Sequence, residues 1–165
     1  MAAESSQTSI VIPIWLWRRM ILQLRRRGGS HSESGAFLFA EQEAGADSVT
    51  SFVCYEDLDP NPYTDGAIAF HGIGYSALWE HCRDAKRRVV ADVHTHPGGN
   101  VRQSPIDQRN PMLPLQGHTA LIVPNFANTS WWTLDAVGVY EYLGDFKWRR
   151  HPGRGRKRRV ILSLW

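Results

Sequence analysis

Val89-Val90-Ala91-Asp92-Val93-His94-Thr95-His96-Pro97, followed by Ser104-Pro105-Ile106-Asp107, is the stretch on which this chain turns. Val89 to His96 has the β-branched content of a strand. Pro97 cannot continue a ladder, and Gly98-Gly99 permit a tight exit. Side chains alternate along a strand, so His94 and His96 project from one face. Val89, Ala91 and Val93 are expected to pack on the other. Two imidazoles at i and i+2 form a pincer for a divalent ion. Ser104-Pro105-Ile106-Asp107 has Ser at an N-cap, Pro at N1 and an acid at N3, the signature of a helix start. The intervening chain has room to bring Asp107 back as a third ligand.

Two His and one carboxylate, with a fourth position open, is the pattern of catalytic zinc. Nitrogen donors favour zinc over magnesium or calcium, although iron(II) accepts the same set. Zinc lowers the pKa of bound water to about 7 and polarises a carbonyl. Hydrolysis there also needs a base, usually Glu or His, and gains from a donor aimed at the developing oxyanion. Without Ser104 and Asp107, the two imidazoles would read equally well as ordinary hydrogen-bonded histidines.

Working outward, Ser9 to Pro13 reads as a short strand and Ile14 to Arg27 as a helix. Ile14, Trp17, Met20, Ile21 and Leu24 fall on one face, and Gly28-Gly29 ends it. Strands are expected at Gly35 to Ala40, Ser48 to Tyr55 and Ala67 to His71. A second helix is expected over Ser76 to Arg88, with Ser76 as N-cap and Leu78, Cys82 and Ala85 inside. Thr119 to Val123 is a buried strand. Val137 to Tyr142 and Phe146 to Arg149 form a hairpin turning at Gly144-Asp145, and Val160 to Leu164 is a last strand. Strands interleaved with two long helices indicate a single mixed α/β domain.

At 165 residues, with 42% apolar and 21% charged, the chain can bury one core; disordered, collagen-like and disulfide-stapled classes are excluded. Cys54 and Cys82 form no CxxC, so a thiolate zinc site is excluded and a reducing compartment is expected. The apolar run Ile10 to Trp17 is too short to span a bilayer, and Arg18-Arg19 follow it, unlike a signal peptide. A cytoplasmic protein with no membrane partner is expected. Eight of the 19 Lys and Arg lie between Lys147 and Arg159, while all 16 Asp and Glu precede residue 146. The first 146 residues therefore carry a net −5 and the remainder +8. The run from Arg149 to Arg159 is expected as a solvated tail; nucleic acid and an acidic partner are its less favoured readings.

His94-x-His96-x7-Ser104-x2-Asp107, with Glu33-Ser34-Gly35-Ala36-Phe37-Leu38-Phe39 upstream, resembles the JAMM motif of the JAB/MPN zinc metalloproteases. Four fixed positions in about 150 windows arise by chance roughly once in a thousand chains. The resemblance covers residues 10 to 150 or so. It implies a cytidine-deaminase-like fold, a mixed sheet between helices. It implies that His94, His96 and Asp107 hold one zinc ion, that Glu33 is the general base, and that Ser104 stabilises the tetrahedral intermediate. Taken alone, Glu33 would read as a solvated loop carboxylate; only the resemblance promotes it. His31 ranks below it as a base. Ala36 stands where many relatives have a second Gly, a change expected to matter little.

Active members of the family cleave peptide or isopeptide bonds after the C-terminus of ubiquitin or a ubiquitin-like protein. The compact length resembles standalone bacterial JAB peptidases, deubiquitinase-like enzymes that occur beside activating and conjugating enzymes, including in antiphage defence. The expected function is thus a zinc-dependent isopeptidase acting on a ubiquitin-like protein or its conjugates. The alternatives are a catalytically silent MPN-type scaffold and, less compatible with two helices, an all-β cupin oxygenase. The expected organisation is a flexible segment 1–8, a metalloprotease domain 9–150 and a basic tail 151–165. Loops 60–66 and 108–117 are the expected substrate contacts. His71, His81, His118 and His151 read as structural or exposed, with His118 the candidate to support the site, and Trp131 and Trp132 read as core or rim.

Overall fold

Gly35-Ala36-Phe37-Leu38-Phe39-Ala40 is apolar without alternation because the strand it forms is covered on both faces. The computed structural model describes residues 9–65 and 67–165, so the segment 1–8 lies outside the described residues. β1 (Ile10–Pro13) runs straight into α1 (Ile14–Gly28), and β2 (Gly35–Glu41) and β3 (Ser51–Cys54) follow. A small hairpin of β4 (Tyr63–Thr64) and β5 (Ala67–Ile68) leads to α2 (Gly72–Asp84). Then come β6 (Arg87–Thr95), α3 (Pro105–Arg109), β7 (Thr119–Val123), β8 (Gly138–Gly144), β9 (Lys147–His151) and β10 (Val160–Ser163).

Six strands form one sheet in the order β3-β2-β6-β7-β8-β9. Neighbours are antiparallel except β6 and β7, which are parallel. A parallel pair needs a crossover, and here the crossover is the segment 96–118 that carries α3. Ala36, Leu38 and Ala40 face α1, while Phe37 and Phe39 face Leu78 of α2. The sheet thus lies between helices, as expected.

α1 follows from its sequence. Leu16, Trp17, Met20, Ile21 and Leu24 are buried, Arg18, Arg19 and Arg26 are exposed, and Arg25 to Arg27 complement the dipole at its end. Leu16 takes the inner place expected for Ile14, which is only half-buried. Gly29 stops the helix at φ 55°, its N–H donating to the Arg25 carbonyl.

Three local expectations are corrected. First, α2 begins and ends four residues earlier than Ser76 to Arg88. Its N-cap is His71, and Ser76 donates to Gly72 O from inside the helix. Arg87 and Arg88 are drawn into β6 by pairing with Glu41 and Ala40, after a turn at Lys86 (φ 52°). Second, the strand expected over Ala67 to His71 is two residues long. Third, the register of β6 on β2 slips between Leu38 and Phe39, leaving Val90 as an extra residue. That bulge reverses the alternation, so Val89 packs on the α2 side, away from Ala91 and Val93.

Residues 151–165 are tied to the body rather than trailing from it. β10 pairs in parallel with β1. Arg159 is buried, donating to Thr119 Oγ1 and Gly117 O, with Glu141 3.7 Å away. Among the described residues, no helix is long and apolar enough to cross a membrane.

Leu121, fully buried in the middle of β7, tests the core. Leu121→Ala is expected to destabilise the fold by about 2–5 kcal/mol, read from urea denaturation followed by circular dichroism.

Candidate metal centre

β6 ends at its pairing with β7, His94 opposite Ile122 and Thr95 opposite Val123, and releases the chain beside the crossover. The crossover returns α3 to the strand end. Three side chains meet there. His94 Nε2 and His96 Nε2 are 3.3 Å apart. Asp107 lies 3.5 Å from His94 Nε2 through Oδ1 and 3.3 Å from His96 Nε2 through Oδ2. One donor atom from each residue lies within 4.8 Å of the other two, and two imidazole nitrogens with a carboxylate oxygen are donors that suit zinc, so the residues fit the ion in chemistry.

His96 and Asp107 are each oriented by a further bond. The His96 Nδ1–H donates to Asn100 O at 2.9 Å, which leaves Nε2 as the acceptor facing the cluster. Asp107 sits in a capping box at the start of α3. The Ser104 N–H donates to Asp107 Oδ2 at 2.7 Å, and the Asp107 N–H donates to Ser104 Oγ at 3.1 Å. Burial opposes ionisation of Asp107, but contacts with His94 and His96 outweigh it and hold the carboxyl well below the usual range. Burial likewise opposes charge on His96, yet Asp107 and Asn100 raise its pKa overall.

Glu33 lies in the loop between α1 and β2, half-buried. It is not one of the three groups whose ligand atoms lie within 4.8 Å of one another. Burial raises its pKa; His94 and His96 pull it down and Asp107 pushes it up, so it senses all three side chains of the cluster. Ser104, half-buried beside Asp107, spends an oxygen lone pair on the cap and keeps its own O–H available as a donor.

Residues not singled out in the sequence hold these parts together. The Ser34 N–H donates to Thr95 Oγ1 at 2.9 Å, the Thr95 N–H donates to Ser34 O at 2.9 Å, and Ser34 Oγ donates to Leu24 O at 2.9 Å. Both residues are fully buried. This clamp fixes the Glu33 loop to the residue between the two histidines. A Cβ on Gly35 would meet the Tyr55 ring at 2.1 Å, so the strand can begin there only with glycine. Ala36 is buried in the core, paired across the sheet with Cys54 and Val93. Asn125, Phe126 and Ala127 all have positive φ (55°, 51° and 64°). Their turn holds His96 in place, with the His96 N–H donating to Val123 O and the Phe126 N–H to His96 O. Arg25 in turn donates to Ala127 O and Thr129 O.

A cavity of about 660 Å³ opens on the α2 side, lined by His94 and Asp107 together with Asp92, Phe70, Met112 and Trp148. Loop 108–117 contributes Arg109, Asn110, Pro111, Met112 and Pro114. None of the described residues of 60–66 lines it; Ile68, Ala69 and Phe70, just beyond, do. Asp92 is buried, and its Oδ1 lies 2.6 Å from His118 Nε2, so His118 supports the cavity floor. His31 is exposed and hydrogen-bonds Gly29 O. Trp131 packs against the core and Trp132 is exposed, and neither lines the cavity.

No family model matches the sequence. Solved structures do resemble it. Protein DSY2949 from Desulfitobacterium hafniense is 15% identical, with 93% of this chain and 92% of that one covered at a TM-score of 0.63. AF2198, a JAB1/MPN domain protein from Archaeoglobus fulgidus, is 16% identical, with 93% and 98% covered at a TM-score of 0.50. The fold is JAB1/MPN-like. Metalloisopeptidases and inactive proteins both occur among JAB1/MPN domains.

The chain should bind one zinc ion, with affinity falling as pH drops from about 8 to 5.5 in competition with a chromophoric chelator, because protons compete for the imidazoles. The raised pKa of His96 makes that competition begin at a higher pH than for an ordinary imidazole. Thr95→Val, which removes the Ser34 acceptor at nearly constant volume, should cost about 1–3 kcal/mol in denaturant unfolding.

Proposed function

We propose that the protein is a zinc-dependent peptidase or isopeptidase that cleaves after the C-terminus of a ubiquitin-like protein. The observation that carries this reading is the convergence of His94, His96 and Asp107 within 4.8 Å of one another beside a cavity of about 660 Å³. These three side chains would hold one zinc ion, which supplies Lewis acidity to the scissile carbonyl and lowers the pKa of water.

Glu33 is the base. Its burial raises its affinity for a proton, in the direction that suits a group that must first accept one and then deliver it. It takes the proton from the attacking water and passes it to the departing nitrogen. Ser104 donates its O–H to the oxygen on which negative charge develops, from a position fixed by the cap on α3. Asp107 remains ionised throughout, and Asn100 keeps His96 in one tautomer. The Ser34–Thr95 clamp holds base and ligands to one geometry, which is where a 1 Å error costs about a hundredfold.

The cavity suits an extended, uncharged backbone more than a globular surface. Ile68, Phe70, Met112 and Trp148 offer apolar contact along it. The flexible C-terminal tail of a ubiquitin-like protein has that form. The enzymes that activate and conjugate such a protein are the expected pathway partners, and the cytoplasm the expected location.

Purified protein loaded with zinc should cleave a ubiquitin-like protein fused to a reporter, and Glu33→Ala should retain zinc while losing at least about 10²-fold in kcat/KM. Near-normal turnover by that variant would remove Glu33 from the mechanism. A zinc-loaded wild type that binds such fusions and cleaves none would instead indicate a scaffold.

A further inference from the structure

The basic run that closes the sequence takes no part in the metal centre. β9 is an outer strand of the sheet, paired with β8 on one side and with no strand on the other among the described residues. Its Lys147, Arg149 and Arg150 are exposed. The turn after it carries Arg156, Lys157 and Arg158, also exposed. Arg149, Arg150 and these three cations border one concavity of about 510 Å³, and no carboxylate of the described residues lines it.

The surface is built on anchored backbone. Before the turn, His151 Nε2 lies 2.8 Å from Glu141 Oε2. After it, Arg159 is buried against Thr119 and Gly117, and Val160 opens β10. Arg154 pairs with Asp135 and is thereby spent. Arg149 is 3.7 Å from Glu141, and Arg150 lies 5.9 Å from the centre of the Tyr140 ring. Arg156, Lys157 and Arg158 have no carboxylate partner among the described residues.

We propose that this surface binds the phosphodiester backbone of nucleic acid without reading its sequence. Charge is concentrated here, +8 after residue 146 against −5 before it. Most of these cations are arginine, whose planar fork matches phosphate oxygens. Among the described residues no Phe, Tyr or Trp lines the concavity, and its one ring, His151, is tied to Glu141, so bases have little to stack on. Apart from Pro152 its lining is cationic or polar, and the apolar side chains Trp132, Leu134, Val160, Ile161 and Leu162 line a separate hollow that shares only Arg158 with it, so the concavity itself offers no apolar anchor for a protein partner. Closely and regularly spaced phosphates are the partner that needs charge alone. Arg150 is in register with Tyr140, Ala120 and Asp92, so the surface borders the side of the sheet that carries the cavity. This inference does not depend on the peptidase reading.

Fluorescence anisotropy of the full chain with labelled oligonucleotides of about 20 nucleotides, in two unrelated sequences, tests it. Both sequences should bind alike, with a salt slope equivalent to about three to five neutralised phosphates. The triple reversal Arg156→Glu, Lys157→Glu, Arg158→Glu should weaken binding at least about 50-fold. A matched reversal elsewhere, Arg19→Glu, Arg26→Glu, Lys86→Glu, should change it by less than about 3-fold, with circular dichroism confirming both folds. Equal losses in both triples, no binding at about 10 µM protein in about 50 mM salt, or poly-glutamate binding as tightly as the oligonucleotides would each overturn the proposal.

Discussion

Three proton-binding side chains held 3.3–3.5 Å apart at the end of one strand are the constraint around which the rest of this molecule is arranged. Such a cluster has to be oriented by its surroundings, because imidazoles and a carboxylate gain little by meeting in water. The parallel pairing of β6 with β7 sets the stage for the meeting. It demands a crossover, the crossover carries the N-terminus of α3, and the capping box there aims Asp107 back at the strand it came from. The local energy of a helix cap is thereby put to use in positioning a ligand.

The second layer is polar and buried, and each of its bonds joins parts of the chain that are distant in sequence. Ser34 and Thr95 bridge the Glu33 loop to the histidine strand. Arg25 of α1 holds the turn over Asn125 to Ala127, whose left-handed backbone carries a steric penalty of about 1–2 kcal/mol per residue. That turn takes up the main chain of His96. The helix and two loops therefore move with the site or not at all. Beneath them, the paired Asp92 and His118 place a polar floor in a cavity whose walls mix apolar and polar side chains.

Charge is partitioned in the same modular way. Acidic groups are spread over the body, and the cations of the last stretch gather at the free edge of β9 and the following turn. An outer strand with a row of arginines is also a poor template for pairing with another copy, so the distribution protects the edge of the sheet. The same feature supplies a surface on which phosphate can be bound.

Much of this was legible in the residues themselves because it is local or periodic. The stripe of α1 and its glycine stop, the hairpin at Gly144-Asp145, the cap at Ser104, and the shared projection of His94 and His96 all follow from spacings of two to four residues. Glu33 was different: its own surroundings in sequence are those of a loop, and only a likeness to a known motif drew it out. What the tertiary structure decided was wherever a long-range contact outweighed a local preference. Arg87 and Arg88 left a helix-like run to pair with β2, Val90 bulged and reversed a face, and Thr95, hidden between two histidines, became the acceptor for Ser34 61 residues away. The basic tail became a fixed turn because β10 pairs with the opposite end of the chain. Propensities are worth tenths of a kcal/mol per residue, while strand pairing and burial act over whole elements, so the sequence names the parts and the packing settles their limits.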